Sequence, residues 1–144
     1  MALQSLGAAK DSKLVQRTLD LALNTELIRL QDIMYCIVNL TFDNPNIKET
    51  RPLVWKWMVE KWPVFEERYK TSASILGAIV RYCAKDLNDT ERIKEVEAWV
   101  EKMGSKLDII RRPINQVIER LKEQNAWISR DDEHVQAWAQ SYLN

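Results

Sequence analysis

Apolar residues recur along this chain at helical spacing, and the breaks between the recurrences divide it into short elements. Leu14, Val15, Thr18, Leu19, Ala22 and Leu23 follow one helix face, with Asp11 or Ser12 placed to cap it, which predicts a first helix over about 12–23. Leu30, Ile33, Met34, Ile37, Val38 and Thr41 mark a second over about 28–42, ending in a turn at Asp43–Asn46. Pro52 suits the first turn of a third helix, whose buried stripe is Val54, Trp55, Met58, Val59 and Trp62. Trp57 lies off that stripe, so it packs on another layer or stays partly exposed.

Pro63 is expected to end the third helix and to leave a short fourth through Phe65 and Tyr69. Ile75, Leu76, Ile79, Val80 and Cys83 give a fifth after a start signal at Ser72/Ser74. Asn88 with Glu91 resembles a capping box for a sixth, carrying Ile93, Val96, Trp99, Val100 and Met103 until Gly104 stops it. Leu107, Ile110, Ile114, Val117, Ile118 and Leu121 form a seventh, which begins near Arg112 or bends at Pro113. Ser129 and Asp132 start a terminal helix with Val135, Trp138, Ala139 and Tyr142 as its stripe. No alternating strand pattern extends beyond a few residues, so the fold class is all-α. About eight helices on short loops pack as antiparallel pairs in an α-solenoid of HEAT or armadillo type.

Composition narrows the chemistry. The 144 residues suit a single domain, 1–144, and 46% apolar content supports a core without disulfides or metal. Lys plus Arg (21) offsets Asp plus Glu (21), which leaves no positive field to gather nucleic acid. Cys36 and Cys83 each sit on an apolar stripe and read as reduced core thiols. No apolar run approaches the roughly 18 residues of a membrane span, and no signal-peptide pattern opens the chain. Asn39-Leu40-Thr41 and Asn88-Asp89-Thr90 match the glycosylation triplet, though Asn39 falls inside a predicted helix.

Enzyme sites lean on paired acids, nucleophile–base couples or metal shells, and most use His. The one His, His134, follows Asp131, Asp132 and Glu133 at the start of the terminal helix, where an exposed position explains it better than ligation. HExxH, CxxC, GxSxG and Gly-rich phosphate loops do not occur. Catalytic and metal residues are therefore expected to be none, with no cofactor in this chain. Trp55, Trp62, Trp99 and Trp138 belong to apolar stripes and are expected inside. Trp57 and Trp127 are left as candidates for a groove or interdomain contact. Arg111-Arg112 with Arg120 and Lys122 reads as a solvated helix face.

Several stretches, in order, resemble the C-terminal domain of zinc aminopeptidases of the M1 family. They are Leu14-Val15-Gln16-Arg17-Thr18-Leu19, Ile28-Arg29-Leu30-Gln31-Asp32, Trp55-Lys56-Trp57-Met58 with Trp62, Arg68-Tyr69, Glu95-Val96-Glu97-Ala98-Trp99, and Asn125-Ala126-Trp127-Ile128-Ser129-Arg130-Asp131 up to Trp138. The puromycin-sensitive and fungal cytosolic branch is the most similar, with the antigen-trimming enzymes of the endoplasmic reticulum as relatives. The resemblance implies a parent enzyme whose zinc-binding HExxH helix and Gly-x-Met-Glu-Asn motif precede this segment. It further implies a bowl of helix pairs that closes over the catalytic domain of the same polypeptide and limits access of peptide substrates. On that reading the chain begins inside the domain, Met1 abutting a run similar to mid-domain helices.

Arg29, Gln31 and Asp32 leave the apolar stripe and are the polar candidates for a substrate-facing role. A hydrogen-bonded helix junction is the plainer role for Gln31 and Asp32. The expected location is the cytoplasm, with the endoplasmic-reticulum lumen or cell exterior as in other branches. The rival reading is a stand-alone HEAT-like module whose concave face binds a protein.

Overall fold

The computed structural model describes residues 5–143, and Met1 lies outside them. The order is a 3₁₀ turn Leu6–Ala8, α1 Ser12–Ala22, a 3₁₀ turn Leu30–Asp32, α2 Ile33–Phe42, α3 Ile47–Tyr69 and α4 Ala73–Cys83. α5 Thr90–Met103, a 3₁₀ segment Gly104–Ile110 and α6 Arg111–Leu143 complete it, and the described residues include no strand. The all-α class follows from the sequence as expected, whereas two of the expected helix breaks are absent.

The first is at Pro63. α3 runs through both Pro52 and Pro63 to Tyr69. Each proline removes an N–H and pushes against the preceding turn, ordinarily a penalty of about 3 kcal/mol in a helix interior. What offsets it is continuity of burial: Val54, Trp55, Met58, Trp62, Phe65 and Tyr69 are all buried along one uninterrupted helix. Pro63 itself faces solvent, so the carbonyl it orphans can be hydrated. Because α3 starts at Ile47, Pro52 falls in its second turn rather than its first.

The second is at Ser129. The helix that begins at Arg111 does not stop there, so the expected seventh and eighth helices are one rod of 33 residues, about 50 Å long. The 3₁₀ segment ahead of it removes the difficulty at Pro113, which sits in the first turn of α6, where its missing N–H has no partner to lose.

Smaller boundaries shift for local reasons. Asp11 caps α1 by accepting from the backbone N–H groups of Lys13 (2.7 Å) and Leu14 (3.3 Å). α2 starts at Ile33 rather than near Ile28, because Arg29 is extended and Leu30–Asp32 form a tighter turn. Leu14 and Leu30, placed on stripes by the pattern, are exposed. Asp89, not Asn88, caps α5, accepting from the N–H of Arg92 at 3.0 Å. Gly104 ends α5 with φ +53°, a conformation that favours glycine.

α3 is central. α1, α2 and α4 pack on it, while Trp55 and Trp62 meet Trp99 of α5 edge-to-face at 5.4 and 5.1 Å. α2 also touches α4, α4 touches α6, and α5 packs on α6. Gly77 permits the α4–α6 approach, since a Cβ there would lie 3.0 Å from Pro113 Cγ.

The turn after α2 stitches the N-terminus to this body. Asn44 is buried, donates to the carbonyls of Gly7 (2.6 Å) and Ala9 (2.8 Å), and accepts from Asn46 N–H (2.8 Å) and Thr50 Oγ1 (3.0 Å). Gly7 is pressed so close to α2 that a Cβ would stand 2.9 Å from the carbonyl carbon of Asn39.

Candidate functional site

A concavity lies where the first two turns of α3, the loop between α4 and α5, and the middle of α6 converge. Lys48, Arg51, Lys85, Asp86, Arg92 and Trp127 are among the residues around this cleft of about 640 Å³. A second, more apolar cleft of about 830 Å³ adjoins it between α3 and α5, sharing Lys48, Pro52 and Arg92 and lined by Trp55, Val59 and Trp99. Together they form a groove with a cationic end and an apolar end.

Asp86 is the hub of the cationic end. It holds φ +52°, a left-handed conformation that Asp tolerates better than most residues. Its carboxylate meets Lys85 Nζ at 2.6 Å and Arg51 at 2.9 Å, and accepts from Gln124 Nε2 at 3.0 Å. Partial burial pushes its pKa up. The hydrogen bonds from Lys85 and Gln124 and the charges of Lys85 and Arg51 outweigh that, so the carboxyl lies below its ordinary range.

Arg51 also donates through Nε to the carbonyl of Thr41 at 2.8 Å, and Asn125 donates to the carbonyl of Asn88 at 2.7 Å. One acidic side chain thus ties α3, the α4–α5 loop and α6 together. Gln124 Oε1 is buried with no partner among the described residues.

Chemically this groove offers charge and stacking surface. Among the described residues no cluster of three or more His, Cys, Asp or Glu is arranged to hold a metal. Cys36 and Cys83 are free, fully buried thiols. Burial raises both pKa values, with the charge of Asp32 adding to the rise at Cys36, so neither is a thiolate nucleophile near neutral pH.

The sequence candidates do not converge. Arg29 and Gln31 are exposed, and Asp32 is half-buried at the start of α2 without a side-chain cap bond. The junction they border is held instead by Tyr69 Oη, which donates to the carbonyl of Leu30 at 2.7 Å, and by Arg68, which donates to that of Leu23 at 3.1 Å. This junction is at the Tyr69 end of α3, about 30 Å along the helix from Lys48 and the groove.

Trp57 is 2% exposed and stacks edge-to-face on Phe65 at 5.3 Å, placing it in the core on a second buried face of α3. Trp127 is 55% exposed and lines the cationic cleft. Trp138, expected inside, is 62% exposed, because α6 has left the body before reaching it.

Arg51, Asp86 and Gln124 were missed by sequence reasoning. Lys85-Asp86 between an apolar helix end and the next helix start was the available signal, but its partners lie 35 and 38 positions away along the chain.

The described residues form an all-helical domain with a mixed charged and apolar groove. The chain belongs to the family of the ERAP1-like C-terminal domain, whose model matches residues 1–123. It is similar to Endoplasmic reticulum aminopeptidase 1 of Rattus norvegicus, 26% identical over 94% of this chain and 14% of that protein. Alanine/arginine aminopeptidase of Saccharomyces cerevisiae is 22% identical over 99% of the chain and 16% of that protein. Glutamyl aminopeptidase of Bos taurus is 24% identical over 94% and 14%. The chain therefore spans about one seventh of the length of these relatives, all M1 aminopeptidases.

Proposed function

We propose that this chain is the C-terminal helical domain of an M1 zinc aminopeptidase, enclosing a peptide chamber and shaping access to it while the zinc and the catalytic residues reside elsewhere in the parent polypeptide. The observation that carries the reading is the family match over residues 1–123. Packing of α1 on α2 and α3, of α2 on α3 and α4, and of α4 on α6 supports a curved stack of helix pairs, the arrangement an enclosing wall requires. The partners proposed are the catalytic domain of the same polypeptide and, through the chamber, peptides.

Free Cys36 and Cys83 suit a reducing compartment, and the cytoplasm is the proposed location. Among the described residues no helix is long and apolar enough to cross a membrane. Reading the complete coding sequence tests the proposal. An in-frame upstream domain bearing HExxH is expected. A parent without any such domain would instead support an interaction module that binds a protein along the groove.

A further inference from the structure

The last buried residue of α6 is Leu121, Gln124 and Asn125 still bond the α4–α5 loop, and beyond Ile128 at the edge of the cationic cleft the helix projects from the body of the domain. Trp127, Ile128, Val135, Trp138 and Tyr142 are all exposed, yet at 100° per residue they fall within a sector about 100° wide. Trp138 and Tyr142 stack on each other at 4.9 Å at the far end of the stripe, and Asp131 interrupts it between Ile128 and Val135. An amphipathic helix of this kind is stable when its apolar face is covered, and an uncovered patch of several large side chains marks a contact surface.

We infer that this stripe docks on the part of the parent polypeptide that precedes this chain, an inference that rests on the proposed function. Three observations select that occupant. The relatives are about seven times longer than this chain, and the yeast alignment covers 99% of it and so runs into this helix. Beyond Ile128 the stripe carries Asp131, paired with Arg130, and is bordered by Asp132, so the complementary surface is apolar with basic groups placed to meet those carboxylates.

A second copy brings the same carboxylates with one Arg to answer them, and an anionic lipid surface calls for a Lys/Arg-rich polar face that the helix beyond Ile128 lacks. Finally, a single helix face is small against the roughly 1,200 Å² of a stable bimolecular interface. It suffices when tethering supplies a high effective concentration.

The test uses the complete polypeptide and the 144-residue chain, each carrying Tyr142→Cys at a site 75% exposed. Cys36 and Cys83 are buried, so maleimide uptake on the peptide containing position 142, read by mass spectrometry, reports the tail alone within this domain. Labelling is expected to be at least about tenfold slower in the complete polypeptide, and the added change Trp138→Glu restores the fast rate. Equal rates in the two proteins overturn the inference. Slow labelling in the 144-residue chain that relaxes on dilution overturns it in favour of a second copy. Peptide hydrolysis by the complete polypeptide is measured separately. Protection without hydrolysis removes the proposed function and keeps the docking surface, and hydrolysis without protection does the reverse.

Discussion

Asn44 shows what a single polar residue does in this domain. Its amide answers two carbonyls of the N-terminal segment and two donors of its own turn. Asn44→Ala strands those groups where water has little access and is expected to lower stability by about 2–4 kcal/mol in urea unfolding. Asn44→Asp keeps the shape but turns a carboxylate toward the carbonyls of Gly7 and Ala9, so it is expected to be at least as damaging.

Asp86 predicts a pH dependence. Its folded pKa is depressed, so its contribution is fully present above the unfolded value near 3.9 and is lost as pH falls through the lower folded value. The stability difference between the wild type and Asp86→Asn, which tolerates the same positive φ, is therefore expected to shrink as pH falls from 5 to below 3. A difference independent of pH would exclude the charge as the cause. At this scale the sequence was informative where a role is local, as for Asp11 capping the first helix. It was silent where the partner is distant: nothing near Asp86 in the chain announces Arg51 or Gln124, and Asn44 looked like an ordinary turn residue.

The helices themselves were largely legible, because each buried stripe has helical spacing whatever it packs against. The failures were at continuity. Pro63 looked like a stop because local backbone chemistry disfavours proline inside a helix. Burial of Trp62 before it and of Phe65 and Tyr69 beyond it overrides that preference. The fused helix predicts that Pro63→Ala, by restoring the N–H donor, raises stability by about 1–3 kcal/mol in urea unfolding. No gain would mean that the helix is in effect broken there. The exposed stripe of α6 failed differently. Its periodicity was read correctly, but periodicity reports an apolar face and not what covers it, so Trp138 was expected inside. Trp57 shows the converse, since a central helix buries more than one face and a single-stripe reading underestimates it.

For the molecule as a whole, the fold class and the family were readable from ordered motifs, whereas the groove was not, because it is assembled from α3, α6 and a loop that meet only in the folded chain. On the proposed function its charged and apolar ends serve as binding surface, and the chemistry of an aminopeptidase lies in the rest of the parent. Release of a fluorophore from an aminoacyl amide, with added zinc, by the 144-residue chain beside the complete polypeptide checks that division. Turnover is expected from the complete polypeptide and none above the zinc-containing buffer from the chain alone. Turnover by the chain alone that a chelator abolishes would overturn it.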